Sequence, residues 1–244
     1  MKKIALIVVL AVFFYAGCKK ESGRIEGTVN FISGDVNIVI KGKKTEARMG
    51  DAVSETTIIE TGAKSQVDVL FEGKLVSIGE STSVEFRKLA REAEGGVKKY
   101  VLFMESGSVF SKLIIRMFKE DEYQVKTPTV VASVRGTEFL VTEGGGKATV
   151  SCTEGIIELK KADGTGDALT LKAGEKADIF PGKALRAGRL TGTDGLIADA
   201  RKRNAKRFSK KQPVDDGIKK PVPAAEKKSY QPVRKPDVDM PAVK

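Results

Sequence analysis

From Arg24 to Phe180 the apolar positions alternate with polar ones or cluster in short runs broken by glycine. Val36, Ile38 and Ile40 share one phase, as do Val67, Val69 and Phe71. A period of two is the signature of a strand with one buried face. Glu72-Gly73 separates the second of these runs from Leu75-Val76-Ser77-Ile78, which predicts a tight hairpin. Further apolar runs flank Ser106-Gly107, Glu154-Gly155 and Gly174. Together they predict an all-β fold: a single domain of stacked short strands, β-sandwich or β-solenoid-like. Gly34, Gly107 and Gly155 each precede a strand start, but their spacing is uneven and defines no repeat. The charged stretch Arg87 to Lys99 is expected as a solvated loop or short helix between strands.

The pattern changes after Pro181. Thr193 or Asp194 can cap a helix carrying a sparse apolar stripe of Leu196, Ile197, Ala200 and Phe208, ending before Pro213. Beyond Gln212 the chain is rich in Pro, Lys and Val, which predicts an extended, disordered tail. At the other end, Lys2 and Lys3 precede an apolar run from Ile4 to Ala16, then Gly17 and Cys18. This is the layout of a secretory signal, too short for a comfortable membrane span. The organisation read from the sequence is a signal peptide over 1–17, a lipidated linker over 18–23 and a β domain over 24–182. A linker and basic helix follow over 183–211, then a Pro/Lys-rich disordered tail over 212–244.

Charge follows the same division. The chain of 244 residues carries a net charge of +11. Residues 200–244 hold 14 Lys/Arg and 5 Asp/Glu, a net of +9, which leaves +2 for the rest. Basicity belongs to the C-terminal stretch and not to the β region. There is no His and no Trp, and Cys18 and Cys152 are the only cysteines. Without His the common imidazole-based hydrolytic machinery is excluded, and two cysteines cannot build a thiolate zinc site. Cys152 shares strand phase with Val150 and is expected to be buried and inert. No catalytic residue, cofactor or metal is expected.

One triplet remains. Arg135-Gly136-Thr137 interrupts the strand-like run Lys126 to Glu143. Val130, Ala132 and Val134 have even phase, whereas Phe139 and Val141 have odd phase. An apolar face that changes phase needs an irregular residue, and Gly136 can supply it at least cost. A bulge or corner is therefore predicted at Arg135-Gly136, with Pro128 at the start of the run where a missing N–H is harmless. A single Gly between strands does not make a phosphate cradle.

Thr127, Pro128, Arg135, Gly136, Thr137 and Phe139, in "TPTVVASVRGTEFLV", resemble the signature of the FecR domain family. "GTVNFISGDVNI", "VLFMESGSVF" and the Gly174-Glu175 turn are similar to other segments of that family, so the resemblance runs from about Gly27 to Ile179. It implies an all-β interaction module with no catalytic residues. Cys18 after Ala16-Gly17 resembles the lipobox of bacterial lipoproteins, although Tyr15 stands where Leu is usual. In that family the Cys is acylated, which implies membrane anchoring through Cys18. The whole resembles FecR-domain lipoproteins of spirochaetes.

The expected function is a non-enzymatic cell-envelope lipoprotein whose β domain binds a partner. Expected partners are the membrane, through Cys18, and an envelope protein or anionic envelope polymer, through the basic tail. No physiological nucleic acid is expected. The expected location is exported and membrane-anchored, on the outer membrane rather than the inner. The alternative is a periplasmic component of FecR-type signal transduction linked to sigma-factor regulation. The signal sequence stands almost directly before the domain, which leaves no room for a sigma-binding segment ahead of it.

Overall fold

The computed structural model describes residues 23–92, 96–113, 121–134, 136–192 and 194–209. The expected signal peptide, Cys18, Arg135 and the tail from 210 onward lie outside the described residues. Among the described residues, eighteen strands run in chain order. They are β1 (Gly23–Arg24), β2 (Gly27–Ser33), β3 (Val36–Ile40), β4 (Lys43–Glu46), β5 (Ala52–Val53) and β6 (Ile58–Thr61). Next come β7 (Gln66–Phe71), β8 (Lys74–Ile78), β9 (Ser83–Arg91), β10 (Lys98–Leu113), β11 (Glu122–Lys126) and β12 (Val130–Val134). The last are β13 (Glu138–Gly144), β14 (Lys147–Glu154), β15 (Ile156–Lys161), β16 (Leu169–Lys172), β17 (Glu175–Ile179) and β18 (Ala187–Arg189). A helix, α1 (Gly195–Ser209), closes the described chain.

These strands form two sheets that share β10. Sheet A runs β4–β3–β6–β9–β10–β11–β12–β15–β16, with β1 on the far end of β9. Sheet B runs β5–β2–β7–β8–β10–β13–β14–β17–β18. The β10–β11 pair is parallel and the other ladders are antiparallel. Their inner faces meet in one core, to which Val36, Ile38, Phe86 and Tyr123 come from sheet A and Val67, Val69, Phe71 and Phe139 from sheet B. An aromatic ladder joins the two layers: Phe86, Phe71, Tyr100, Tyr123 and Phe139, with successive ring centroids 5.4 to 6.5 Å apart. The all-β expectation holds, in its two-layer form.

Local chemistry explains the connections. The β7–β8 hairpin closes with Glu72 and Gly73 both at positive φ, 26° and 76°, the twist that suits a two-residue turn. Three details depart from the sequence reading. Ile40 ends its strand against the edge strand β4 and is 43% exposed. Arg87 to Arg91 continue β9, with Leu89 buried against the core, and Lys98 and Lys99 begin β10. The ladder between β9 and β10 outlasts the apolar alternation there, so charge on the outer face conceals the strand. Ser106-Gly107 is not a turn: β10 passes straight through it, pairing with β9 before it and with β8 and β13 after it.

Candidate functional site

Gly136 and Thr137 sit where the chain changes sheets. Strand β12 lies in sheet A between β11 and β15, while β13 lies in sheet B between β10 and β14. Val130, Ala132 and Val134 before the corner, and Phe139 and Val141 after it, all enter the main core. The phase change is therefore the mark of a strand that leaves one layer for the other. Gly136 has φ 69°, as the corner reading requires, and open space where a Cβ would stand. Thr137 is buried, and its carbonyl accepts the Leu113 amide at 3.0 Å. Its hydroxyl has no hydrogen-bond partner among the described residues.

A second corner at Gly155 carries the chain back, from β14 in sheet B to β15 in sheet A. Gly155 has φ 82°, and a Cβ there would stand 2.6 Å from Thr137 Cγ2 and 3.0 Å from the Gly136 carbonyl oxygen. The two corners pack on each other, and only glycine fits between them. Thr127 and Pro128 form the turn that opens β12: the Thr127 hydroxyl accepts the amides of Thr129 and Val130 at 3.2 and 3.0 Å. Pro128 is exposed, so its missing donor costs nothing. Gly136→Val should lower stability by about 1–2 kcal/mol, because a β-branched residue resists positive φ. Chemical denaturation measures it.

The expected helix packs on the outer face of sheet B, beside two carboxylates that the sequence reading did not single out. There α1 docks over an apolar patch of Leu75, Phe110 and Leu140, inserting Leu196, Ile197 and Ala200. Asp194 caps the helix by accepting the Leu196 amide at 2.8 Å. Two wholly buried carboxylates flank the patch. Glu138 accepts bonds from Lys112 at 2.5 Å, from the Thr153 hydroxyl at 2.8 Å and from Arg201 of α1. Asp68 accepts the Ser77 hydroxyl at 2.6 Å, Arg203 at 2.8 and 3.1 Å, and Asn204 at 3.0 Å. The Arg203 guanidinium also lies 4.4 Å from the centre of the Phe31 ring. Burial pushes the Glu138 carboxyl upward, but the bonds from Lys112, Arg201 and Thr153 together hold it below the usual carboxylate range. The basic helix thus belongs to the same packed unit as the sheets.

A third cluster is internal. Lys74 is 3% exposed, and its ammonium donates to the Tyr100 hydroxyl at 3.1 Å, which donates to Glu72 at 3.2 Å. Burial, then the nearby Lys98 charge, bring the Lys74 pKa down to about 8, against the pull of Glu72 and Asp121. Between pH 8 and 10 the unfolded chain keeps a proton that the folded chain has released, so stability should rise with pH in that window. Lys74→Met should flatten this rise and stabilise the protein at pH 7 by about 3 kcal/mol at most. Melting curves across the window test it. Cys152 is buried in the main core, and burial raises its thiol to about 11. That is the state of an inert thiol.

On the outer face of sheet A, a groove of about 730 Å³ is lined by Glu122, Gln124, Ser133, Ile156 and Glu158. No group of residues able to hold a metal ion occurs among the described residues. None of the described helices is long and apolar enough to cross a membrane.

Residues 57–158 match the family described as FecR protein. The span is shorter than the Gly27 to Ile179 resemblance; it holds both corners and the shared strand β10, and excludes α1. No curated protein matches the chain. Two crystal structures of a candidate anti-sigma factor from Parabacteroides distasonis ATCC 8503 match at 17% identity and a TM-score of 0.44. One alignment covers 54% of this chain and 59% of the solved one, the other 59% and 63%. The chain therefore spans less than two thirds of the structures it resembles.

Proposed function

We propose that this chain is a non-enzymatic cell-envelope lipoprotein whose FecR domain serves as a binding module. One observation supports the reading above others: the family signature is spent on architecture. Gly136 and Thr137 turn a strand between sheets, Phe139 fills the core, and Thr127 closes a turn. The buried ionisable side chains Asp68, Glu138, Lys74 and Tyr100 are bonded to neighbours in the fold. Binding then falls to the outer faces and to the basic C-terminal stretch. The lipobox-like Cys18 supplies the anchor, on the outer membrane.

Two experiments test this reading. Cys18→Ala should abolish acyl labelling and release the protein into soluble fractions; unchanged membrane retention defeats the anchor. Binding of the full chain to anionic vesicles should weaken as salt rises, because clustered Lys and Arg contribute about 1 kcal/mol each near such a surface. Salt-independent binding defeats the tail's role. The FecR match also favours a second reading, a periplasmic component of signal transduction linked to sigma-factor regulation. Cross-linking in intact cells separates the two: recovery of an outer-membrane receptor together with a membrane regulator selects the signalling reading.

A further inference from the structure

We infer that the connection between β17 and β18 is a binding site for an acidic saccharide, with Phe180 as the stacking surface and Lys183 and Arg186 as the contacts to its anionic group. The inference gives the binding-module reading a ligand class, and rests on that reading only for where such a ligand is met.

The strands position the site. Ala148 and Val150 on β14, and Ala177 and Ile179 on β17, enter the main core. Strand alternation therefore turns Lys147, Thr149, Asp178 and Phe180 to the outer face of sheet B. Phe180 follows directly on β17 and is 37% exposed. Pro181 and Gly182 then make a tight turn: Gly182 has φ 73°, and the Lys183 amide donates to the Phe180 carbonyl at 3.2 Å. The turn brings the Lys183 ammonium to 4.8 Å from the centre of the Phe180 ring. Leu185 packs against the main core and ties down the rest of the connection. Arg186 stands one residue ahead of the pair that Ala187 of β18 makes with Ala177 of β17.

Charge is unevenly satisfied there. Asp178, Phe180, Lys183, Ala184 and Arg186 line a hollow of about 440 Å³. The one carboxylate in that lining is already engaged, because Asp178 accepts the Thr149 hydroxyl at 2.7 Å and Lys147 at 3.0 Å. Lys183 and Arg186 have no carboxylate partner among the described residues. Two exposed cations beside an exposed ring are thus left for an anion that also carries an apolar face.

Shape chooses among such anions. A bare phosphate has no use for the ring. An anionic bilayer is met by several protruding apolar side chains, and here a single ring lies in a hollow. The hollow falls within the size range of small-molecule pockets. A sugar ring can lay its C–H face on Phe180 and direct a carboxylate or phosphate to Lys183 and Arg186, where charge-assisted hydrogen bonds hold it. Phe180, Lys183 and Arg186 all lie beyond the span 57–158 that matches the family.

The test is calorimetric titration of the full chain at physiological salt. The probes are an oligogalacturonate, its neutral methyl ester, a mannose phosphate and inorganic phosphate. At least one of the two acidic sugars should bind, and the methyl ester should not. Binding should weaken about tenfold in Lys183→Ser/Arg186→Ser and about fivefold in Phe180→Ala, and survive in Phe180→Tyr. All three side chains are exposed, so the variants should keep the wild-type melting transition. Binding that every variant retains belongs to the basic C-terminal stretch and overturns the inference. Inorganic phosphate binding as tightly as the sugars also overturns it, and leaves a plain anion patch. So does Phe180-dependent binding to phosphatidylglycerol vesicles without saccharide binding, which would make the site a lipid contact. Absence of affinity for both acidic sugars overturns it as well. None of these results bears on the Cys18 anchor, which fails or stands on its own labelling experiment.

Discussion

Glu138→Ala is expected to cost about 3–5 kcal/mol of stability, the usual penalty for removing one side of a buried ion pair. The carboxylate is fully buried and serves Lys112 and Arg201 together. Its removal takes from the Lys112 ammonium, at 18% exposure, the carboxylate 2.5 Å away. It also frees the Thr153 hydroxyl from one of its two acceptors. Glu138→Gln keeps the shape and should cost less. The acid limb supplies the sign. A carboxylate held below its ordinary range in the folded state contributes stability above its unfolded pKa, and loses it as pH falls through the folded value. The wild type should therefore lose stability below about pH 4, and the alanine variant should lose less there. Urea denaturation at neutral and acid pH measures both. An alanine variant as stable as the wild type at neutral pH would mean that the cluster is not formed.

Gly107→Ala should be comparably severe, at about 2–5 kcal/mol, combining strain at positive φ with overpacking. Gly107 has φ 105°, and a Cβ there would stand 2.1 Å from Thr82 Oγ1 and 2.6 Å from Thr82 Cα. The backbone contact cannot be relieved by rotating a side chain. Moving Thr82 also disturbs the bond in which its hydroxyl accepts the Ser108 amide at 3.0 Å. This is the point where the sixteen-residue strand β10 passes from sheet A to sheet B, so the strain falls on the strand both sheets share. A melting temperature within a degree or two of wild type would reject the close approach.

The parts of the fold legible in the sequence are those governed by period two. Val67, Val69 and Phe71 announced β7, and the Glu72-Gly73 turn announced its partner. The corner at Gly136 was legible because two strand phases met there. Gly107 was misread because glycine between apolar runs signals a turn more often than a crossing; only the pairing of β10 with both sheets distinguishes them. The β9 extension was hidden by Arg87, Lys88 and Arg91, which alternate with Phe86 and Leu89 too loosely to show a face. The helix-covered face of sheet B was harder still. Asp68 and Glu138 lie in apolar strands, which hints at buried carboxylates, but their partners Arg203 and Arg201 are 135 and 63 residues away. Those partners sit in a basic stretch whose composition reads as solvated. Nothing local in a sequence links charges across that distance. The stripe of Leu196, Ile197 and Ala200 was legible in the sequence as one face of a helix, but not the surface it packs on.

The central claim is that Gly136 and Thr137 form a structural corner whose glycine is needed for its backbone conformation. Unfolding of Gly136→Asn beside Gly136→Val tests it most directly. Space at Gly136 is open, so side-chain size alone should not matter, whereas asparagine tolerates positive φ and valine does not. The asparagine variant should retain most of the wild-type stability and the valine variant should lose about 1–2 kcal/mol. Equal stability of both with the wild type would contradict the corner.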